Sequence, residues 1–153
     1  MSPITIVIVE DDPLQVESLK VSLAVLRNVQ IIEIRTERAF RVGFDQLAAA
    51  QPDVVLMDVM LRWTDPAPNM EPPPDEVRSQ KFYRAGLRCQ KMLSQDDRTR
   101  DIPVCLYTVL ERADLESELA DLPANVVHIR KESDTRTLVE SLREIIKVKL
   151  GVG

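Results

Sequence analysis

The first apolar run of this chain narrows its possible folds more than any other feature. Ile4 to Val9 reads ITIVIV and is followed at once by Glu10, Asp11 and Asp12. Such a run, without the alternation of a half-exposed strand, belongs to a strand covered on both faces, as inside a parallel sheet. A second run, VVLM, lies within Asp53 to Leu61 and ends at Asp58. Between the two the period changes. Asp12 and Pro13 give an N-cap followed by proline at the first helical position. Val16, Leu19, Leu23 and Leu26 then recur at helical spacing to about Arg27. Val29 to Ile34 reads as a second, more polar strand, and about Arg38 to Ala50 as a second helix stopped by Gln51-Pro52. Ile102 to Tyr107 and Val126 to Ile129 are the remaining strands. A third helix starts near Arg78 to Lys81 and runs to about Ser94, a fourth covers Arg112 to Leu122, and a fifth covers Thr135 to Leu150. This strict alternation calls for an α/β domain: an open parallel sheet with helices on both faces, and its ligand site beyond the carboxyl ends of the strands.

One stretch breaks the rhythm. Five of the ten prolines fall between Arg62 and Glu76, in RWTDPAPNMEPPPDE, a density that neither helix nor sheet ladder accepts. Residues 62–77 are therefore expected to be a proline-rich loop inserted in a single domain spanning 1–153. Pro72-Pro73-Pro74 favours polyproline II and the presentation of groups to a partner. Because the insertion starts four residues after Asp58, it is also placed to cover that strand end as a lid.

Composition removes several function classes. With 20 Lys and Arg against 25 Asp and Glu the net charge is −5, which disfavours direct nucleic-acid binding through a broad basic surface. Cys89 and Cys105 form neither a disulfide scaffold nor a CxxC pair and are expected in the core. A single histidine, His128, excludes a His-rich metal cage. No segment has the length of a membrane span or the layout of a signal peptide, so a cytoplasmic location without membrane contact is expected.

Chemistry gathers at the strand ends. Glu10, Asp11 and Asp12 follow the first strand, Asp58 closes the third, Thr108 closes the fourth and Lys131 follows the fifth. Clustered carboxylates repel, and oxygen ligands without His or Cys suit Mg²⁺. A nearby lysine either pairs with a carboxylate or awaits an anion, and a threonine hydroxyl offers a neutral donor.

VIVEDDP, VVLMDVML, LYT and the lysine of HIRKES, in this order and each at its strand end, resemble the receiver domain of two-component response regulators. The resemblance spans the chain apart from the proline-rich insertion. It implies a doubly wound, flavodoxin-like five-stranded sheet of order 2-1-3-4-5. It implies that Asp58 accepts a phosphoryl group, that Asp11 binds Mg²⁺ directly and Glu10 through water, and that the Met60 carbonyl completes the protein's metal ligands. Lys131 and Thr108 would hold phosphoryl oxygens. His128, three residues before Lys131, is either the switch residue that turns in behind Thr108 or a half-buried strand residue. Asp12 is first a helix cap.

Three departures accompany the resemblance. Glu132 stands where receivers usually have proline after the lysine, so a trans peptide is expected there. No Met-Pro follows Met60, and Gly86, the counterpart of a glycine that normally lies nearer the acceptor, is displaced by the insertion. The implied function is a stand-alone, self-phosphorylating and self-dephosphorylating switch rather than a turnover enzyme. It would be served by a sensor histidine kinase or phosphotransfer protein and signal to a downstream protein partner or a second copy of itself in a homodimer, since only Gly151-Val152-Gly153 follow the last helix. The alternative is a non-phosphorylated pseudo-receiver acting as an adaptor. An aspartate-nucleophile phosphatase is disfavoured, because Met60 stands where its general acid would be.

Overall fold

Five strands form where the apolar runs lie: β1 (Ile4–Val9), β2 (Val29–Ile34), β3 (Val54–Met57), β4 (Val104–Thr108) and β5 (Val126–Arg130). In the computed structural model, which describes residues 3–65, 68, 72–80, 84–131 and 135–150, they pair in parallel in the order β2-β1-β3-β4-β5. The sheet is the doubly wound one expected. Alternate residues feed two cores, as the strand period of two requires. Ile6, Ile8 and Leu56 pack with α1 (Pro13–Leu23) and α7 (Arg136–Leu150) through Val16, Leu19, Leu138 and Leu142. Val7, Val9, Val55 and Met57 face α2 (Glu37–Val42), α3 (Phe44–Ala50) and α5 (Ala85–Gln95) through Phe40, Leu47, Cys89 and Leu93.

The differences from the sequence reading lie at helix ends and have local causes. Asp12 caps α1, its Oδ1 accepting from the Leu14 amide at 3.0 Å, but α1 stops at Leu23. The chain then turns through Asn28, at φ 60°, to enter β2. Gly43 divides the expected second helix into α2 and α3, in keeping with glycine's poor helix propensity. Gln51 ends α3 in the left-handed conformation, φ 46°, just before Pro52. Strand β4 begins at Val104, after Pro103 has withheld a ladder donor. The expected fourth helix is a 3₁₀ turn, Arg112–Leu115, running into the short α6 (Glu116–Leu119).

The third helical region starts earlier than expected. A short helix, α4 (Asp75–Gln80), takes in residues 75–77, which the sequence assigned to the loop. The Pro74 carbonyl accepts from the amides of Val77 and Arg78, and Asp75 and Glu76 in the first turn suit the positive end of the helix. Residues 66, 67, 69–71 and 81–83 of this region lie outside the described residues, and with them much of the expected lid. Glu132 does too, and so the peptide expected to be trans.

Both cysteines are buried, as expected. Burial pushes the Cys105 thiol up to about 12, and Cys89 is raised by burial and then by the charge of Glu37. Reaction with a disulfide reagent at pH 8 should therefore be at least about a thousandfold slower than in urea, because the thiolate is the reacting form. Fast labelling of either thiol in the folded protein would contradict this packing.

Candidate functional site

Each candidate residue is held by the ladder of the strand it follows. The Glu10 amide donates to the Ile34 carbonyl at 3.0 Å, the Asp58 amide to Val9 at 2.9 Å and the Lys131 amide to Thr108 at 2.7 Å. Because β1 lies between β2 and β3, and β4 between β3 and β5, these backbone bonds bring the side chains to one rim. Lys131 Nζ donates to Asp58 Oδ2 at 2.9 Å and to Glu10 Oε1, linking residues far apart in the chain.

Two carboxylates share one ammonium there. Glu10 is buried, and its Oε2 accepts from the amides of Asp11 at 3.0 Å and Asp12 at 3.3 Å. Burial, followed by the charge of Asp58, raises the Glu10 carboxyl to about 7 against the opposing pull of Lys131. Burial lowers the Lys131 ammonium, but Asp58 and Glu10 outweigh it and hold it above its ordinary value. The Lys131 shift reflects the two carboxylates beside it, whereas the Glu10 shift is first an effect of burial and only then of the Asp58 charge. Asp58 Oδ1 accepts from the Met60 amide at 3.1 Å, which fixes the carboxylate's rotation and turns the chain at the start of the insertion.

The other members stand nearby in defined roles. Thr108 is fully buried at the end of β4, and its hydroxyl oxygen accepts from the Leu110 amide at 3.3 Å. This is the backbone contact typical of a strand-terminal threonine. The Leu110 carbonyl faces His128 Nε2 at 3.3 Å. His128 pairs with Leu106 in the β4–β5 register and is half-buried. Thr108 and His128 are thus joined through the backbone of one residue, Leu110.

Mg²⁺ fits this donor set in kind: Glu10, Asp11 and Asp58 offer hard carboxylate oxygens, and Glu10 and Asp58 are buried side by side on a single ammonium. Among the described residues no three His, Cys, Asp or Glu side chains already stand together as metal ligands. Glu10 and Asp58 are turned to Lys131. Asp11 Oδ2 accepts from the Arg62 amide at 3.0 Å and lies 3.6 Å from Arg62 Nε.

Three residues near the site gained their importance only from the structure. Gly86 lies against the backbone at Asp58: its amide donates to the Val59 carbonyl at 2.8 Å, and a Cβ there would come within 2.1 Å of the Asp58 carbonyl oxygen. Despite the insertion, this glycine reaches Asp58. Arg62 gave no local signal, because its partner is 51 residues away. Glu37 is buried at the start of α2, bound by Arg88 (2.6 and 2.9 Å) and by Arg41 (2.8 Å). Only its i,i+4 spacing to Arg41 was legible.

The fold is similar to that of solved receiver domains of two-component signalling. A signal receiver domain of a histidine kinase from Clostridium thermocellum superposes with a TM-score of 0.70 at 17% identity, covering 94% of this chain and 97% of that one. One from Syntrophus aciditrophicus gives 0.67 at 24% identity, covering 94% and 90%. The receiver domain of a sensor histidine kinase from Pseudomonas aeruginosa, with magnesium coordinated in its active-site cleft, gives 0.64 at 15% identity, covering 98% and 99%. No sequence-family model and no curated protein matches the chain. Among the described residues no helix is long and apolar enough to cross a membrane.

Proposed function

We propose that this chain is a receiver that accepts a phosphoryl group on Asp58 from the phosphohistidine of a sensor histidine kinase or phosphotransfer protein, and that phosphorylation changes its contacts with a protein partner. The single observation behind this reading is the Lys131 ammonium bonded to both Glu10 and Asp58 at the carboxyl edge of the sheet. An Asp58 oxygen attacks phosphorus, the O–P bond forms as the P–N bond breaks, and the electron pair returns to the imidazole. Lys131, held by the β4–β5 ladder, offsets negative charge on the group in transfer. When bound by Asp11, Asp58, the Met60 carbonyl and, through water, Glu10, Mg²⁺ would neutralise the carboxylates and polarise phosphoryl oxygens. Water later attacks phosphorus, the O–P bond to Asp58 breaks, and inorganic phosphate leaves.

Thr108 supplies the switch. Its hydroxyl accepts from the Leu110 amide and keeps its proton for a phosphoryl oxygen; a shift toward Asp58 pulls on Leu110, whose carbonyl is what His128 touches. His128 then changes position with Thr108, and the readout face is the 112–119 segment, β5 and α7. The adaptor reading keeps one point in its favour: Asp11 is already paired with Arg62.

Incubation with Mg²⁺ and a small acyl-phosphate donor, followed by intact-mass measurement, tests the proposal. One labile phosphoryl group should appear, should be absent from Asp58→Asn, and should form roughly a hundredfold more slowly in Lys131→Ala. Absence of an adduct with every donor tried would leave the adaptor.

A further inference from the structure

The contact between Arg62 and Asp11 differs in kind from the exposed ion pairs elsewhere on the surface. It joins the candidate metal carboxylate to the first residue of the proline-rich insertion, and the Arg62 peptide is fixed on both sides. Its amide donates to Asp11 Oδ2 at 3.0 Å, and its carbonyl accepts from the Glu37 amide at 2.9 Å. The next carbonyl, that of Trp63, accepts from the Arg38 amide at 2.8 Å. These are amides of the first turn of α2, which no helical carbonyl can satisfy. On the other side of the clasp, Arg41 lies 5.4 Å from the Trp63 ring and donates at 2.7 Å to Glu76 in α4. The backbone of Arg62 is therefore anchored, while its side chain is 51% exposed and its Nη1 also lies 3.9 Å from Asp65 within the insertion. Its guanidinium reaches the same oxygen as its own amide, Asp11 Oδ2, with Nε at 3.6 Å.

We infer that Arg62 is a resident counter-cation of the metal site, which a divalent ion must displace from Asp11 in order to bind, so that this residue sets the metal affinity. The inference rests on the reading of Asp11 as a metal ligand. Its basis is charge. In Glu10, Asp11 and Asp58 the rim holds three carboxylates, and Lys131 serves two of them. Arg62 serves the third, and a positive side chain left beside an incoming dication opposes it. A half-exposed pair is weak in itself, so the displacement is easily reversed and the competition is graded. The guanidinium can swing out while the amide remains on Asp11, and the change is reported next door by Trp63, the only tryptophan.

Calorimetric titration of the full chain with MnCl₂ and with MgCl₂, alongside Trp63 fluorescence, separates the possibilities without a phosphorylation assay. Arg62→Ala and Arg62→Gln should each bind about three- to tenfold more tightly than the parent at low salt. Arg62→Lys should stay near the parent value, and the advantage of Arg62→Ala should shrink as salt rises. Asp11→Asn should lose binding. Equal affinity in parent, Arg62→Ala and Arg62→Gln, with binding still lost in Asp11→Asn, would overturn the role of Arg62 and leave the metal reading standing. Binding that Asp11→Asn does not alter, or none in any form of the protein, would overturn both.

Discussion

Gly86→Ala should destabilise the protein by at least about 3 kcal/mol, the upper end of what one added methyl group costs in a packed interior. The atoms a Cβ would meet are backbone: the Asp58 carbonyl oxygen at 2.1 Å, the Val59 Cα at 2.6 Å and the Asp58 carbonyl carbon at 2.8 Å. A side chain in such a place can turn aside, but the main chain at the end of β3 cannot. Either α5 lifts from the sheet, breaking the bond from the Gly86 amide to Val59 and uncovering Cys89 and Leu93, or the Asp58 peptide moves. Both displace the Asp58 carboxylate from Lys131, so on the proposed function phosphoryl uptake should fall together with stability. Against a typical domain stability of 5–15 kcal/mol, much of the protein would be unfolded at modest urea. A urea midpoint within error of the parent would show that α5 does not approach Asp58 this closely.

Removing Glu37 should cost nearly as much. Its carboxylate is fully buried, bound at one oxygen by Arg88 and at the other by Arg88 and Arg41 together. Arg41 Nε is buried without a hydrogen-bond partner, so this network already has little to spare. Glu37→Ala withdraws the shared anion from two guanidinium groups, and breaking a buried pair from one side typically costs about 3–5 kcal/mol. Glu37→Gln keeps the shape and two acceptor lone pairs but not the charge, and should fall between the two. Because the Glu37 amide also holds the Arg62 carbonyl, the start of the insertion should loosen in the alanine variant, seen as a changed Trp63 emission before global unfolding. Parent-like unfolding and emission in Glu37→Ala would show that the network contributes little to either.

The strands were legible because each is announced by its own residues. β1, β2 and the VVLM of β3 fall where the apolar runs stand, and α1 begins where Asp12-Pro13 places it. The rim residues were legible for a related reason: Glu10 and Asp58 come directly after apolar strands and Lys131 directly after β5, and residues at equivalent ends of a parallel sheet must meet at one edge. Helix ends read less well. Gly43 divides a helix whose periodicity continues across it, and residues 75–77 turn helical under the influence of Pro74 and two acidic side chains.

The sequence by itself determined which segments are strands, which faces are buried and which polar side chains stand at the carboxyl ends, because strand and helix periods and end signals act over a few neighbouring residues. Only the tertiary structure decided that Gly86 would close on the backbone of Asp58, that Arg62 would take Asp11, and that Glu37 would bind Arg88 51 residues along the chain. Those contacts depend on where distant segments cross in space. That path is set by the packing of α2 and α5 on one face of the sheet, and no periodicity of neighbouring residues encodes it.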